Sequence, residues 1–543
     1  MSDRQAHATP LASSGTTTLE RISGVVAGLG VVCVALTATT WLRETTEAQS
    51  FAGVAFFDWL AVLSAAVGLG VVAVGVGSWT GAFETTPDER AGTLTGVGFG
   101  LIAFVAAGLV VSQTLGFGAT WQWGGAALFA ALVVGGAVVV APEDLGTAIP
   151  VGILGVGVAW VIASGTIDAA WTWSPVGFDV TFPGYLVAPG LVGITGLVGA
   201  WASARAYDGF GSRGRQTGAF VLIGLCAALM LAILGILIAF IVRQGFEPAT
   251  RGFEVGIGPA TIPILSDLYP FADEVFIPFI DVDWPFVENG YSFRPDVING
   301  VFPAVMGTFY VVAGAVVLGV PLAVAAAVFL TEYAEQGRFV QVVEVATNGL
   351  WSTPSVVFGL FGYAFLVPRL GNQFSLLAGM ITLGFMLIPL VLITSREAIL
   401  AVPDEYRDAS AALGVSQWET IKSVVLPAAM PGVMTGVILG VGRIAGETAP
   451  ILLVMAGGLR DPAPDVLGSF QFSASPPFVT NPELLQAAPN LPYQLYAAIT
   501  AGVTGENAQA FGWATAFVLL LVVLSFYAVG IGTRIYFRRQ LQQ

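Results

Sequence analysis

The chain reads as a succession of apolar runs of roughly twenty residues, the length a helix needs to cross a bilayer, separated by shorter polar breaks. Six runs occupy Ile22 to Leu42, Trp59 to Ala82, Leu94 to Val111, Trp123 to Ala141, Thr147 to Gly165 and Tyr185 to Ala202. Six more occupy Gly218 to Val242, Phe302 to Leu330, Ala346 to Val367, Phe374 to Ser395, Gly432 to Ala456 and Phe511 to Phe537. The runs are continuous and rich in Gly and Ala, as closely packed helices require, and they lack the period-2 alternation of a membrane barrel. The pattern predicts an all-α polytopic membrane protein of about twelve transmembrane helices, with Trp41, Trp59, Trp79, Trp121 and Trp201 as interfacial anchors.

Composition fits this reading. Of 543 residues 56% are apolar and 10% charged, with a mean hydropathy of +0.82, too little polar surface for a water-soluble domain. His7 is the only histidine, and the two cysteines, Cys33 and Cys226, fall inside apolar runs, so neither a metal cluster nor a disulfide framework is expected. The single lysine, Lys422, follows Ile421, so no phosphate-binding loop of the G-x-x-x-x-G-K-[ST] type is present. If transport here uses ATP, another subunit hydrolyses it, and the chain itself is not expected to be an enzyme. The net charge of −15, with only one lysine among 20 basic residues, resembles the acid-rich usage of halophilic proteins.

Polar breaks divide the chain. Residues 1–21 form a polar leader expected in the cytoplasm. Residues 22–203 form a six-span module, its first run too long for a signal peptide and read as a retained span. Residues 204–217 read as a cytoplasmic linker, because Arg205, Arg213 and Arg215 face only Asp208 there. Residues 218–543 form the second half, in which the acid-rich stretch 243–300 is expected to face outward. The basic C-terminal end, Arg534, Arg538 and Arg539, is expected inside, and six spans per half then place both termini in the cytoplasm. Twelve spans in two halves also fit a secondary carrier, although such carriers usually have related halves.

The segment from Pro403 to Pro427 is far more polar than its neighbours. Pro403, Asp404 and Glu405 suit a helix start, and Tyr406, Ala409 and Leu413 share a face. Gly414 supplies a stop. Ser416 and Glu419 form an S-x-x-E capping box that restarts a second helix, with Trp418, Ile421 and Val425 on one face, until Pro427 ends it. An amphipathic connector between two spans would show the same pattern. The strings Asp408-Ala409-Ser410, Gly414 and Val424-x-Leu426-Pro427, however, resemble the EAA loop of ABC importer permeases: E-A-A, three residues, Gly, nine residues, then I-x-L-P. This sequence has Asp for Glu, Ser for the second Ala and Val for Ile. The resemblance implies a MetI-like permease fold for residues 218–543. It also implies that Tyr406, Asp408, Ala409, Ser410, Gly414, Trp418, Leu426 and Pro427 form the element that couples to the ATPase.

Within that family the chain is similar to the phosphate permeases of the PstA type. The likeness rests on Gly307-Thr308, Glu332-Tyr333-Ala334, Pro354 to Gly362, Glu405 to Ala409, Gly446-Glu447-Thr448-Ala449-Pro450 and Leu491 to Tyr496. It implies a permease subunit of an ATP-driven importer of inorganic phosphate. The implied partners are a second, PstC-like permease, a PstB-like ATPase dimer that binds ATP and Mg, and an extracytoplasmic PstS-like phosphate-binding protein, with this chain itself in the plasma membrane. Another oxyanion, molybdate or sulfate, remains open as cargo. Nothing in Ile22 to Ala202 matches that plan, and a sensor or regulatory module is one reading of it.

Arg443 and Glu447 lie four apart well inside an apolar run. Each such group costs about 2.5–3.5 kcal/mol at a helix centre on insertion scales, so neither is expected to face lipid. They either neutralise one another or line the translocation path. In the second reading Arg443 offers its fork of donors to an oxyanion, Glu447 moderates its charge and Thr448 adds a hydroxyl. The resembled family carries the same pair. Arg396 and Glu397 read as a membrane-edge pair, and Asn348 and Ser352 as helix-packing residues.

Overall fold

The computed structural model describes residues 17–40, 50–51, 53–175, 179–259, 278–292, 298–335, 337–459, 461–476, 478–500 and 508–540. His7 and Trp41 lie outside them. The chain divides into two compact units, 1–237 and 238–543, so the division falls within a helix rather than in the polar stretch 204–217.

The first unit holds α1 (Thr18–Thr40), α2 (Phe56–Trp79), α3 (Thr93–Leu109), α4 (Thr120–Val140), α5 (Glu143–Ala163), α6 (Gly184–Tyr207) and the start of α7 (Gly211–Ala249). Glycines let these backbones approach: a Cβ on Gly30 would lie 2.6 Å from the Gly196 carbonyl, and one on Gly155 would lie 2.8 Å from the Gly68 Cα. Stretch 204–217 is not an open linker. Its first residues finish α6, and α7 begins at Gly211. Its arginines are committed rather than free, because the side chain of Arg205 is buried against the fully buried Glu143, and Arg215 reaches Asp88 and Glu143. Glu143 also accepts from the backbone N–H of Asp88 and Gly211, both at 2.9 Å. Trp201, expected at the interface, lies under the Arg205 guanidinium, whose carbon is 4.9 Å from the ring centroid.

The second unit contains the rest of α7, then α8 (Phe302–Val328), α9 (Arg338–Ser352), α10 (Ser355–Phe361), α11 (Leu376–Leu400), α12 (Asp404–Ala412), α13 (Gln417–Thr420), α14 (Leu426–Ala445), α15 (Ala449–Val454), α16 (Leu491–Thr500) and α17 (Ala508–Gln540). Its main apolar core gathers α8, α9, α11, α14 and α15 around Ala315, Leu376, Leu383 and Met455, all fully buried. Gly432, Gly436 and Gly440, one every four residues, turn toward α11: a Cβ on each would meet Ala398, Thr394 and Leu387. Among the described residues eleven helices are long and apolar enough to span, or twelve if one bent pair counts as a span. The remaining sheet structure consists of short hairpins, of which Glu254–Pro259 with Pro278–Asp283 is the longest described.

Proline alters two of the expected spans and fails to act where a helix end is expected. Ala346 to Val367 is broken: α9 and α10 meet at 102°, because Pro354 has no N–H to continue the ladder and pushes Thr353 into extended backbone. Gly432 to Ala456 is also interrupted. α14 ends at Ala445 and α15 begins at Ala449, since a continuous helix would set the Pro450 ring against the Gly446 carbonyl. Pro427, expected to end a helix, does not. The wide turn Ile421–Val425 carries the chain straight from α13 into α14, and Gln417–Ala445 is one span-length helix.

Candidate functional site

The short helices that precede α14 are built as the sequence predicts. Pro403 caps α12, with Asp404 and Glu405 in its first turn. Gly414 adopts φ +72°, the left-handed conformation that closes a Schellman motif, with Val415 N–H to Ser410 O at 3.2 Å and Gly414 N–H to Ala411 O at 3.0 Å. The Ser416 hydroxyl then accepts from Glu419 N–H at 3.4 Å. The reciprocal half of the box is replaced, because the Glu419 carboxylate accepts from Ser423 instead.

What fixes this element to the permease is an arginine that spacing alone did not single out. Arg407 donates to the Glu332 carboxylate at 2.9 Å, to the Val402 carbonyl at 2.8 Å, to the Ile399 carbonyl at 3.1 Å and to Asp404 at 3.1 Å. The hydrogen bond to Glu332 holds the Arg407 guanidinium above the usual arginine range, so it stays charged. Gln417 donates to the Glu332 carbonyl at 2.6 Å, so both short helices grip the end of the wide turn Phe329–Tyr333 that closes α8. The separate strings Glu332-Tyr333-Ala334 and Glu405 to Ala409 are therefore two halves of one joint.

The faces sort differently from the helical pattern. Val425 is buried in a cluster with Ala327, Ile399 and Val402 and Ile421 is buried as well, whereas Trp418, expected beside them, is exposed. Tyr406, Asp408, Ala409, Leu413, Gly414 and Val415 are exposed with it. Ser410 is buried, and Leu426 and Pro427 are half-buried within the helix that continues onward.

The second cluster sits where the two broken runs meet. α10 and α15 pack closely enough that a Cβ on Gly359 would lie 2.6 Å from the Pro450 Cα. Arg443 lies in the last turn of α14, and Glu447 lies beyond its end, so the two are not neighbours on one continuous helix as the spacing predicted. They nevertheless remain in reach: Arg443 Nε is 3.7 Å from a Glu447 carboxylate oxygen, an ion pair too long for a hydrogen bond. The other face of the guanidinium covers the Trp351 ring at 4.7 Å from the centroid. Trp351 comes from the end of α9, two residues before the break. Its role had no sequence signal, since a tryptophan in an apolar run reads as packing. Thr448 caps α15 without a side-chain hydrogen bond to it. In a membrane-spanning protein, irregular backbone is tolerated where it is enclosed by protein or borders a cavity.

Two further motif strings also meet. A Cβ on Gly307 would collide with the Pro489 carbonyl, and the adjacent Thr308 hydroxyl accepts from Leu491 N–H at 2.9 Å. The segment that opens α16 thus docks on α8 through Gly307-Thr308. Asn348 and Ser352 are exposed on α9, and Ser352 bonds back to the Gly349 carbonyl at 3.0 Å. No group of three or more potential metal-ligating side chains exists among the described residues.

Comparisons with known proteins bear on the second unit. The family of binding-protein-dependent transport system inner membrane components matches residues 319–538. The phosphate transport system permease protein PstA of Haemophilus influenzae is 34% identical over 246 residues, covering 45% of this chain and 78% of that protein. A probable ABC transporter permease of Bacillus subtilis, YqgI, is 28% identical over 316 residues, covering 58% of this chain and 94% of that protein. Among solved structures, an inward-facing MetNI methionine ABC transporter aligns over 44% of this chain and 94% of its own, with TM-score 0.33 and 18% identity.

Proposed function

Because the chain belongs to the family of binding-protein-dependent transport system inner membrane components, it is a membrane-spanning permease of an ABC importer, and we propose that its cargo is inorganic phosphate. The observation that carries this reading is Arg443. It is a guanidinium at the junction of two helix breaks, held among the described residues by a loose carboxylate and an aromatic face. Phosphate leaving water needs charge-assisted hydrogen bonds, which an arginine supplies bidentately. A path must also release its cargo. Glu447 and Trp351 compete for the guanidinium, so the anion is held in passing rather than trapped. The similarity to a phosphate permease supports the same cargo.

In this reading the importer pairs the chain with a second permease, an ATPase dimer and a phosphate-binding protein. The exposed Tyr406, Leu413, Val415 and Trp418 are the apolar knobs that enter a groove of the ATPase, with Asp408, Ala409 and Gly414 on the same exposed element. The Arg407–Glu332 joint then passes ATPase closure to α8, and the breaks around Arg443 open alternately to the two sides. This end of the molecule faces the cytoplasm. The six spans of the first unit are an addition to the transport machinery, 22–203 in extent.

The test is uptake of labelled phosphate by the complete complex, with sulfate and molybdate as competitors. Phosphate uptake resistant to both competitors supports the cargo. Preferential uptake of either competitor overturns it.

A further inference from the structure

One face of α9 carries more than Trp351. Glu344, Asn348 and Trp351 follow one another at i, i+4 and i+7 and so form a single stripe, about 10 Å long at 1.5 Å per residue. At the Trp351 end stands Arg443. At the other end stands Arg396, one turn before α11 gives way to the ATPase-coupling element, with its guanidinium 2.5 Å from the Glu344 carboxylate.

Arg396 is not simply a charge paired at the membrane edge. It borders a cavity of about 140 Å³, room for a few waters or one tetrahedral oxyanion, whose polar lining is Glu344, Thr347, Asn348, Arg396 and Glu397. Its Nε is buried and has no hydrogen-bond partner among the described residues. A buried arginine donor left open is costly unless something visits it. The Thr347 hydroxyl donates to its own Val343 carbonyl at 2.7 Å, so its remaining capacity toward the cavity is as an acceptor.

Building on the path assigned to Arg443, we propose that this cavity is a second station on it, one that accepts protonated tetrahedral oxyanions and turns away fully ionised ones. The charge balance makes the distinction. One guanidinium faces two carboxylates, so an anion entering here gains from Arg396 and must also satisfy the lone pairs of Glu344 and Glu397. Monobasic phosphate or arsenate has P–OH or As–OH groups that donate to those carboxylates. Sulfate near neutral pH has none, and its oxygens meet carboxylate oxygens with no proton between them. Asn348, with both an amide donor and a carbonyl acceptor, serves either side of the bound anion. The cargo thus passes along α9 between two arginines, each tempered by carboxylate.

The test uses the complete transporter complex with Ile393→Cys, an apolar residue of the cavity wall that the proposal does not use, in a chain whose Cys33 and Cys226 are replaced by serine, and follows the rate of modification by a small thiol reagent. Phosphate and arsenate are expected to slow modification at least about threefold, and sulfate at equal ionic strength to have no effect. Arg396→Gln removes the protection. Glu344→Gln, which keeps the size and adds an amide donor, lets sulfate protect. Equal protection by sulfate and phosphate in the otherwise unaltered chain overturns the carboxylate selection. No protection by phosphate, in a complex that still imports phosphate through Arg443, overturns the station itself. A complex that imports no phosphate at all removes instead the reading on which the station rests.

Discussion

At the scale of single residues, the ionisable groups inside the membrane are the most telling. Arg443 and Glu447 stood out in the sequence because a charge in an apolar run is expensive, and the structure keeps them within 3.7 Å although the helix between them ends. Their setting was not legible. Trp351 lies 92 residues before Arg443 in the chain, and neither spacing nor composition joins them. The same holds for Arg407 and Glu332, 75 residues apart. Replacing Arg443 by alanine would remove the charge-assisted hydrogen bonds proposed to the anion, worth about 1.5–3 kcal/mol. Uptake by the assembled complex is expected to fall at least about tenfold. Trp351→Ala leaves the guanidinium to Glu447 alone. A cation–π contact of about 0.5–2 kcal/mol is then lost, and the expected signature in uptake kinetics is a lower KM with a lower maximal rate, largely restored by Trp351→Phe. Unchanged kinetics in Trp351→Ala would remove the ring from the release step.

At the scale of elements, caps and turns were the most readable features. The Gly414 stop, the Ser416 cap and the start of α12 all came from residue types with one strong local preference. Proline was read less well, because its effect depends on what the helix does around it. Pro354 and Pro450 break runs that hydropathy shows as continuous, whereas Pro427 is absorbed by a wide turn. Gly414→Val forces a branched residue into the left-handed region, at a cost of about 1–2 kcal/mol, and misorients α13 against α12. ATP hydrolysis by the complex is expected to continue while uptake falls, measured as the ratio of phosphate imported to ATP consumed. An unchanged ratio would mean that the turn does not transmit the motion. In the first unit, Glu143→Ala leaves Arg205 buried without its carboxylate. Breaking such a pair typically costs about 3–5 kcal/mol, so the thermal unfolding transition of the detergent-solubilised protein should move clearly downward.

At the scale of the whole molecule, the apolar runs foretold an all-α polytopic protein, and the described residues hold eleven span-length helices and one bent pair. The charge bias that oriented the polar stretch 204–217 carries less weight than its arginines promised, since Arg205 and Arg215 are engaged with Glu143 and Asp88. Those acids sit far from the arginines in sequence, which is why they looked unopposed. The secondary-carrier alternative, open on span count, gives way to the importer family through the match over residues 319–538. Phosphate transport through the region around Arg443, driven by a partner ATPase, is best tested by one measurement: uptake of labelled phosphate into proteoliposomes holding the complete complex, with and without ATP, for the unaltered chain and for Arg443→Ala. The expected result is accumulation that requires ATP and is lost in Arg443→Ala. Accumulation without ATP, or at full rate in Arg443→Ala, would contradict it.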